Sequence, residues 1–249
     1  MRRLWTLWRR EVASLCVSPV AYILTTMFLV VMGVGFWFIA SYRLTMGASV
    51  YDVLRGLYGG VAWFAVLMVI PVLTMRSFAE EKRSGTLETL LTAPVTDAEV
   101  VISKFLGLLT VYLLMWSPTL LHMLILNRVN DLQTPIDIGA LGGAYVGIAL
   151  VGMFFLSIGL FCSALTRNVI IASISTFAIL GVIFLAGFLP EASPIPALRQ
   201  ISEPFSPVLH MLDFARGVVD TRAVVLYLSS TWLMLGVTTR VVESRRWRS

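Results

Sequence analysis

The sequence predicts an all-α integral membrane protein with six transmembrane helices, and three observations carry that reading. Of its 249 residues 58% are hydrophobic and 13% charged, whereas soluble domains carry about 45–50% apolar and about 25% charged residues. The 19 basic and 14 acidic residues fall between long apolar runs, and none lies at the middle of one. That spacing fits a bilayer, where a mid-membrane charge costs about 2.5–3.5 kcal/mol even on lenient scales. Six of the runs approach the about 20 residues a helix needs to cross. A soluble globular domain, a disordered chain and a disulfide-rich module are thereby excluded. Cys16 and Cys162 form no CxxC, so no metal site or disulfide framework is expected. The net charge of +5 is to be sorted by side of the membrane and gives no reason to expect a nucleic-acid partner.

The expected spans cover residues 20–40, 57–75, 103–126, 139–165, 169–189 and 223–239. Each has to be helical, because a backbone in hydrocarbon must satisfy its own hydrogen bonds and no barrel-like alternation is present. Only Thr166, Arg167 and Asn168 separate the fourth and fifth spans, which predicts a tight helical hairpin. An even number of spans puts both termini on one side. With the termini inside, 13 Lys and Arg residues lie inside and 6 outside; this positive-inside bias predicts cytoplasmic termini. The first apolar run, at about 21 residues, exceeds the ~7–15 of a secretory h-region, so it is expected to be a retained span.

Residues 2–17 read as an amphipathic interfacial helix. Leu4, Trp5, Trp8, Val12 and Leu15 share one face, and Arg2, Arg3, Thr6, Arg9 and Arg10 the other. Such a helix lies in the interface plane, with Trp5 and Trp8 at headgroup depth and Arg9 and Arg10 near anionic lipid. It is either a simple membrane anchor or a connecting helix that also touches a cytoplasmic partner. Pro19 then turns the chain into the first span.

The cytoplasmic segment 76–102 is the most informative stretch. Gly85 and Pro94 punctuate a short helix expected from Thr86 to Thr92, with Leu87, Leu90 and Leu91 on one side and Glu88 on the other. Thr96-Asp-Ala-Glu99 has the form of a capping box. It starts a long helix that carries Lys104 into the third span. Two rigid struts around a short exposed helix can transmit force between a cytoplasmic partner and two membrane helices; an ordinary charged amphipathic loop is the plainer alternative.

Residues 80–107, EEKRSGTLETLLTAPVTDAEVVISKFLG, resemble the cytoplasmic signature of ABC-2 type transporter permeases. Residues 206–229, SPVLHMLDFARGVVDTRAVVLYLS, are similar to the segment before the last span in the gliding-motility type of these permeases. The resemblance implies one transmembrane domain over residues 1–249, in a bacterial cytoplasmic (inner) membrane. It implies a multi-pass permease subunit of an exporter, paired with a second permease subunit, identical or related, and with an ABC ATPase subunit. It further implies that Glu80, Glu81, Lys82, Arg83, Gly85, Thr86, Leu87 and Glu88 fall in the stretch contacting that ATPase. Pro94 would close the turn and Lys104 stand at the base of the third span, while the N-terminal helix corresponds to the family's connecting helix.

The chain itself is not expected to be an enzyme. Its only lysines, Lys82 and Lys104, follow Glu81 and Ser103, so no G-x-x-x-x-G-K-[ST] loop occurs. ATP and magnesium are expected on the partner ATPase, with no cofactor or metal bound here. Two other classes remain. An ion-coupled secondary carrier needs buried carboxylates or broken helices, yet His122 is the one ionisable residue deep in a span and is expected to be a hydrogen-bonded packing residue. A non-transporting anchor of an envelope or motility complex would need no paired struts. A CAAX-type intramembrane protease is excluded, since its pattern needs an arginine where Gly85 stands and its paired glutamates lie within the membrane.

Gly139, Gly143 and Gly147 make a small-residue stripe on the fourth span, for packing within the chain or against another subunit. Pro71 and Pro118 are expected to kink the second and third spans. In the outer loop 190–222, Ser206 and Pro207 should start a short helix ending at Gly217. Its Leu209, Leu212 and Phe214 would either dip into the interface beside a pathway or pack as a cap on the bundle. His210, Asp213, Arg216 and Asp220 are candidates to touch substrate or a periplasmic partner, or to pair with one another.

Overall fold

The protein folds as a helical bundle in a computed structural model that describes residues 2–46, 50–85, 96–129, 138–192 and 195–246. Helix α1 (Arg2–Val17) leads into α2 (Pro19–Thr45), which forms the first span. Helix α3 (Val50–Gly56) runs through a π-helical turn, Leu57–Val61, into α4 (Ala62–Thr74), and α5 (Ala79–Ser84) follows. The third span is α6 (Asp97–Trp116), a 3-10 turn at Ser117–Thr119, and α7 (Leu120–Val129). Helices α8 (Ile138–Leu165) and α9 (Val169–Ala186) form the hairpin of the fourth and fifth spans. Short helices α10 (Leu189–Ala192), α11 (Pro196–Ser202) and α12 (Pro207–Ala215) precede α13 (Thr221–Arg246), the sixth span.

Six helical stretches are long and apolar enough to cross a membrane: Pro19–Tyr42, Leu57–Ser84, Asp97–His122, Ile138–Leu165, Val169–Ala192 and Thr221–Ser244. All six coincide with the expected spans, and several run on past the apolar stretch because a helix does not stop where the hydrocarbon does. The second, third and fourth are the inner helices, with 67, 56 and 72% of their apolar windows buried. The first, fifth and sixth keep 28, 17 and 22% buried and turn apolar faces outward, as helices bordering lipid do. The core runs through Met32, Tyr58, Ile70, Leu108, Tyr112, Trp116, Phe155 and Leu156, all essentially inaccessible. Phe28 of the first span meets Trp116 edge-on at 4.9 Å.

The two ends of the bundle collect different segments. One end gathers α1, the joint between α4 and α5, the start of α6 and the α8–α9 hairpin; the other gathers the π-helical turn, the start of α8, the end of α9 and helix α12. In the hairpin, the Asn168 side chain accepts from the Ile170 amide at 2.9 Å and so caps α9.

Helix α12 is the packed cap. Ser206 accepts from the Leu209 amide at 3.2 Å as N-cap, Pro207 stands at the first helical position, and Gly217 follows the end at φ 78°. Ser206 Oγ also donates to the Gly187 carbonyl at 2.6 Å, pinning the cap to the fifth span. Phe214 is buried against Gly147, where an added Cβ would lie 2.7 Å from its ring. An added Cβ on Gly143 would overlap the Phe214 carbonyl oxygen. Gly143 and Gly147 of the stripe are therefore filled from within the chain.

Of the local expectations within the spans, the one for His122 comes out differently. Pro118 sits in the 3-10 turn that interrupts the third span, as expected of a residue with no amide to donate. Pro71 lies inside α4, three residues before its end at Thr74. That span also carries the π-helical turn, with Gly59 beneath Leu212 of α12. His122 stacks on Phe36 at 4.6 Å, and its Nδ1 is buried without a hydrogen bond among the described residues. Its packing is aromatic, not the hydrogen-bonded kind expected. The helix expected over residues 86–92, with Thr86, Leu87 and Glu88, and the turn at Pro94 lie outside the described residues.

Gly143→Ala should lower stability by about 1–3 kcal/mol through overpacking. Gly142→Ala, where a Cβ meets nothing within 4 Å, should leave it unchanged or raise it. Denaturant unfolding of the two variants in the same micelles makes the comparison.

Candidate functional site

The joint between the second span and α5 is built from outside itself. Helix α4 ends at Thr74, and Phe78 supplies no side-chain cap for α5. Ser163, near the end of α8, does that work: its Oγ accepts from the Phe78 and Ala79 amides at 3.1 Å each and donates to the Met75 carbonyl at 3.1 Å. Lys82 Nζ donates to the Ala164 carbonyl, satisfying one of the orphan acceptors at the C-terminus of α8. Helix α5 is thus docked on the end of the fourth span before it stops at Gly85, whose φ of 75° suits only a residue without a Cβ.

Helix α6 starts as its capping box dictates. Thr96 Oγ1 accepts from the Glu99 amide at 3.3 Å, and Glu99 Oε2 accepts from the Thr96 amide at 2.9 Å. The helix then runs unbroken through Lys104, which is only 3% exposed. Its ammonium donates to Glu81 of α5 at 2.6 Å and to Glu11 of α1 at 3.1 Å. The Phe78 ring lies 5.4 Å from the same nitrogen. Arg10 stands 3.6 Å from Glu11, so two carboxylates and two cations balance. Three segments distant in sequence therefore close on one buried cation.

Helix α1 lies directly against α6. At Gly107 an added Cβ would come 3.0 Å from Glu11 Cβ, a tight approach that a glycine relieves. Trp8 Nε1 donates to Thr110 Oγ1 at 3.1 Å, and the Trp5 and Trp8 rings are 4.5 Å apart. Trp5, Arg9 and Arg10 face outward.

Glu81 and Lys82, from the stretch expected to contact a partner, and Lys104, at the base of the third span, are engaged within the joint. Glu80 and Arg83 remain at the surface, and Glu80 meets Arg76 at 3.8 Å in an exposed pair that adds little stability. Glu11, Ser163 and Phe78 complete the arrangement and were not picked out beforehand. Glu11 left a legible signal, being the one acid in the basic segment 2–17 and three residues from Trp8 on its apolar face. Ser163 left none, because a serine near a helix end is ordinary.

At the opposite end the four polar candidates do not form one site. His210 Nδ1 and Tyr227 Oη lie 3.0 Å apart, with their rings edge to face. Arg216 meets Asp213 at 3.4 Å in an exposed pair. Asp220 accepts from the Arg222 amide at 2.8 Å at the start of α13. Burial holds His210 below the usual histidine range, against an opposing pull from Asp213 and Asp220.

Residues 40–240 match the family model described as ABC-2 family transporter protein. The match takes in Glu81, Lys104 and Ser163, while Glu11 and α1 precede it. Among curated proteins none matches the sequence.

Lys104→Met should cost up to about 3 kcal/mol, because it removes the ammonium shared by Glu81 and Glu11 while Arg10 still faces Glu11. Adding Glu81→Gln and Glu11→Gln to it should recover most of that loss in a chemical-unfolding cycle. The depressed His210 pKa gives a second expectation. The folded state binds fewer protons than the unfolded state once pH falls below about 6.5, so stability should drop there as pH falls. Melting scans from pH 7.5 to 5 should show this component in the native protein and lose it in His210→Gln.

Proposed function

The chain belongs to the ABC-2 family of transporter proteins, and from that premise we propose that it is the permease subunit of an ATP-driven exporter. Two such subunits would pair with two ATPase subunits in the cytoplasmic membrane, with both termini inside. The observation that carries this reading is the buried Lys104, held at once by the segment after the second span and by the N-terminal helix.

In this reading the ATPase contacts Glu80 at the rim of α5 and the stretch from Gly85 to Glu88, including Thr86 and Leu87, with Pro94 closing it. ATP and magnesium bind on that partner. Closure of the ATPase dimer displaces α5, and three rigid connections carry the displacement inward. Glu81 passes it to Lys104 and the third span, and Lys104 to Glu11 and α1. Lys82 and the Ser163 cap pass it to the fourth span. A ligand shifts a conformational equilibrium only by its differential contact with the two states. A docked, charged α5 offers such a contact. The likeness of residues 206–229 to the gliding-motility type supports that subgroup and by itself implies no role in gliding.

Purifying the tagged chain under mild conditions should bring an ABC ATPase subunit with it. Glu80→Lys together with Glu88→Lys should weaken that association about tenfold, equivalent to about 1.4 kcal/mol, at unchanged membrane insertion. Glu81 is left alone in this test because it holds Lys104. Transport that survives without any ATPase and collapses with the ion gradient would contradict the proposal.

A further inference from the structure

Two adjoining clefts open beside α5, at the end of the bundle that carries Lys104. One, of about 360 Å³, is lined by Arg76, Glu80, Arg83, Ser84 and Val169. The other, of about 500 Å³, is lined by Arg83, Thr166, Arg167, Asn168, Val169 and Ile170. They share Arg83 and Val169. Three arginines thus face one carboxylate, Glu80, which is engaged with Arg76. Among the described residues no carboxylate lies within ion-pair distance of Arg83 or Arg167. A guanidinium presents a planar fork of donors that matches phosphate oxygens.

The apolar side of the same clefts points to what carries the phosphate. Ile170 lines the second cleft and is 68% exposed. Ile174 and Phe177 continue its face along α9 at helical spacing and are exposed as well. The cationic cleft therefore opens at the head of an apolar stripe running up a span. A ligand matching both parts has an anionic phosphodiester joined to hydrocarbon chains.

We infer that this double cleft binds the headgroup of an anionic phospholipid of the cytoplasmic leaflet, with Arg83 and Arg167 on the phosphate and an acyl chain along Ile170, Ile174 and Phe177. Anionic lipid is concentrated in that leaflet and is drawn to basic pockets between helices. The inference rests on the proposed orientation, but its test needs no ATPase. Glu80 at the rim disfavours a second carboxylate nearby, so an uncharged polar headgroup beyond the phosphate, as in phosphatidylglycerol, fits better than a further acid.

The full chain is reconstituted in nanodiscs of equimolar phosphatidylcholine and phosphatidylglycerol, and native mass spectrometry counts the lipids it retains. Preferential retention of phosphatidylglycerol is expected, falling about fivefold for each arginine removed in Arg83→Gln, Arg167→Gln and the double variant. Should the double variant not fold, Arg167→Gln alone reads the effect, and Arg83→Lys with Arg167→Lys should keep part of the preference. Arg240→Gln, at an exposed position away from the clefts, should keep all of it. Equal retention of the two lipids, or an equal loss in Arg240→Gln, would overturn the site. Displacement of phosphatidylglycerol by glycerol 3-phosphate at fixed ionic strength would assign the cleft to a soluble phosphate compound and overturn the lipid. Absent lipid preference combined with loss of ATPase association in Arg167→Gln would assign it to a protein partner, and also overturn it.

Discussion

A lysine ammonium buried at the end of a membrane bundle has to be compensated where it stands, and Lys104 is compensated by two other segments of the chain. Glu81 approaches from below the second span and Glu11 from the N-terminal helix. Removing either partner leaves charge in a poorly hydrated place, at a cost of several kcal/mol. The pairing adds modest net stability for the same reason, but it fixes geometry strongly. Helices α1, α5 and α6 cannot separate without exposing the cation or stranding a carboxylate. Ser163 and Lys82 tie α5 to the fourth span in the same way with hydrogen bonds. The result is a rigid knot at one end of the bundle, and the stretch expected to meet an ATPase emerges directly from it at Gly85.

The other end is held by shape more than by charge. Helix α12 buries Val208, Met211, Phe214 and Ala215 against the fourth span, where Gly143 and Gly147 remove the side chains that would keep it out. The two irregular turns, at Leu57–Val61 and Ser117–Thr119, lie toward this end. Thr119 and Tyr145 share a hydrogen bond of 2.6 Å there, linking the interrupted third span to the fourth. The bundle is thus tied by ion pairs and hydrogen bonds at one end and irregular near the other.

Local signals in the sequence survived into the structure. The spans, the capping box at Thr96, the Ser206-Pro207 start of α12 and the glycine after it were legible because each depends on residues within one or two turns. What was not legible depended on contacts between segments. Nothing near Ser163 says that it will cap a helix 84 residues away. Lys104 was singled out for its position at the base of a span, yet its partner Glu11 lies 93 residues earlier. The resemblance puts Glu81 in one contacting stretch with Glu80 and Arg83, and only the helical rotation of α5 shows that it turns inward to Lys104. The π-helical turn at Leu57–Val61 contains the Gly59-Gly60 pair, a local mark of irregular backbone that does not by itself specify a π-helical turn.

Transmission of work from the ATPase to the membrane helices through the Lys104 knot, as proposed, is the step on which the mechanism turns. It is tested most directly by measuring permease-stimulated ATP hydrolysis for Glu11→Gln, Lys104→Gln and their combination, in complexes matched for ATPase content. Glu11 lies outside the expected ATPase-contacting stretch, so a direct docking effect is not expected from it. The account predicts that each variant loses stimulation while keeping the ATPase bound, and that the double variant loses no more than Lys104→Gln alone. Stimulation unaffected by Glu11→Gln, or losses that simply add, would contradict it.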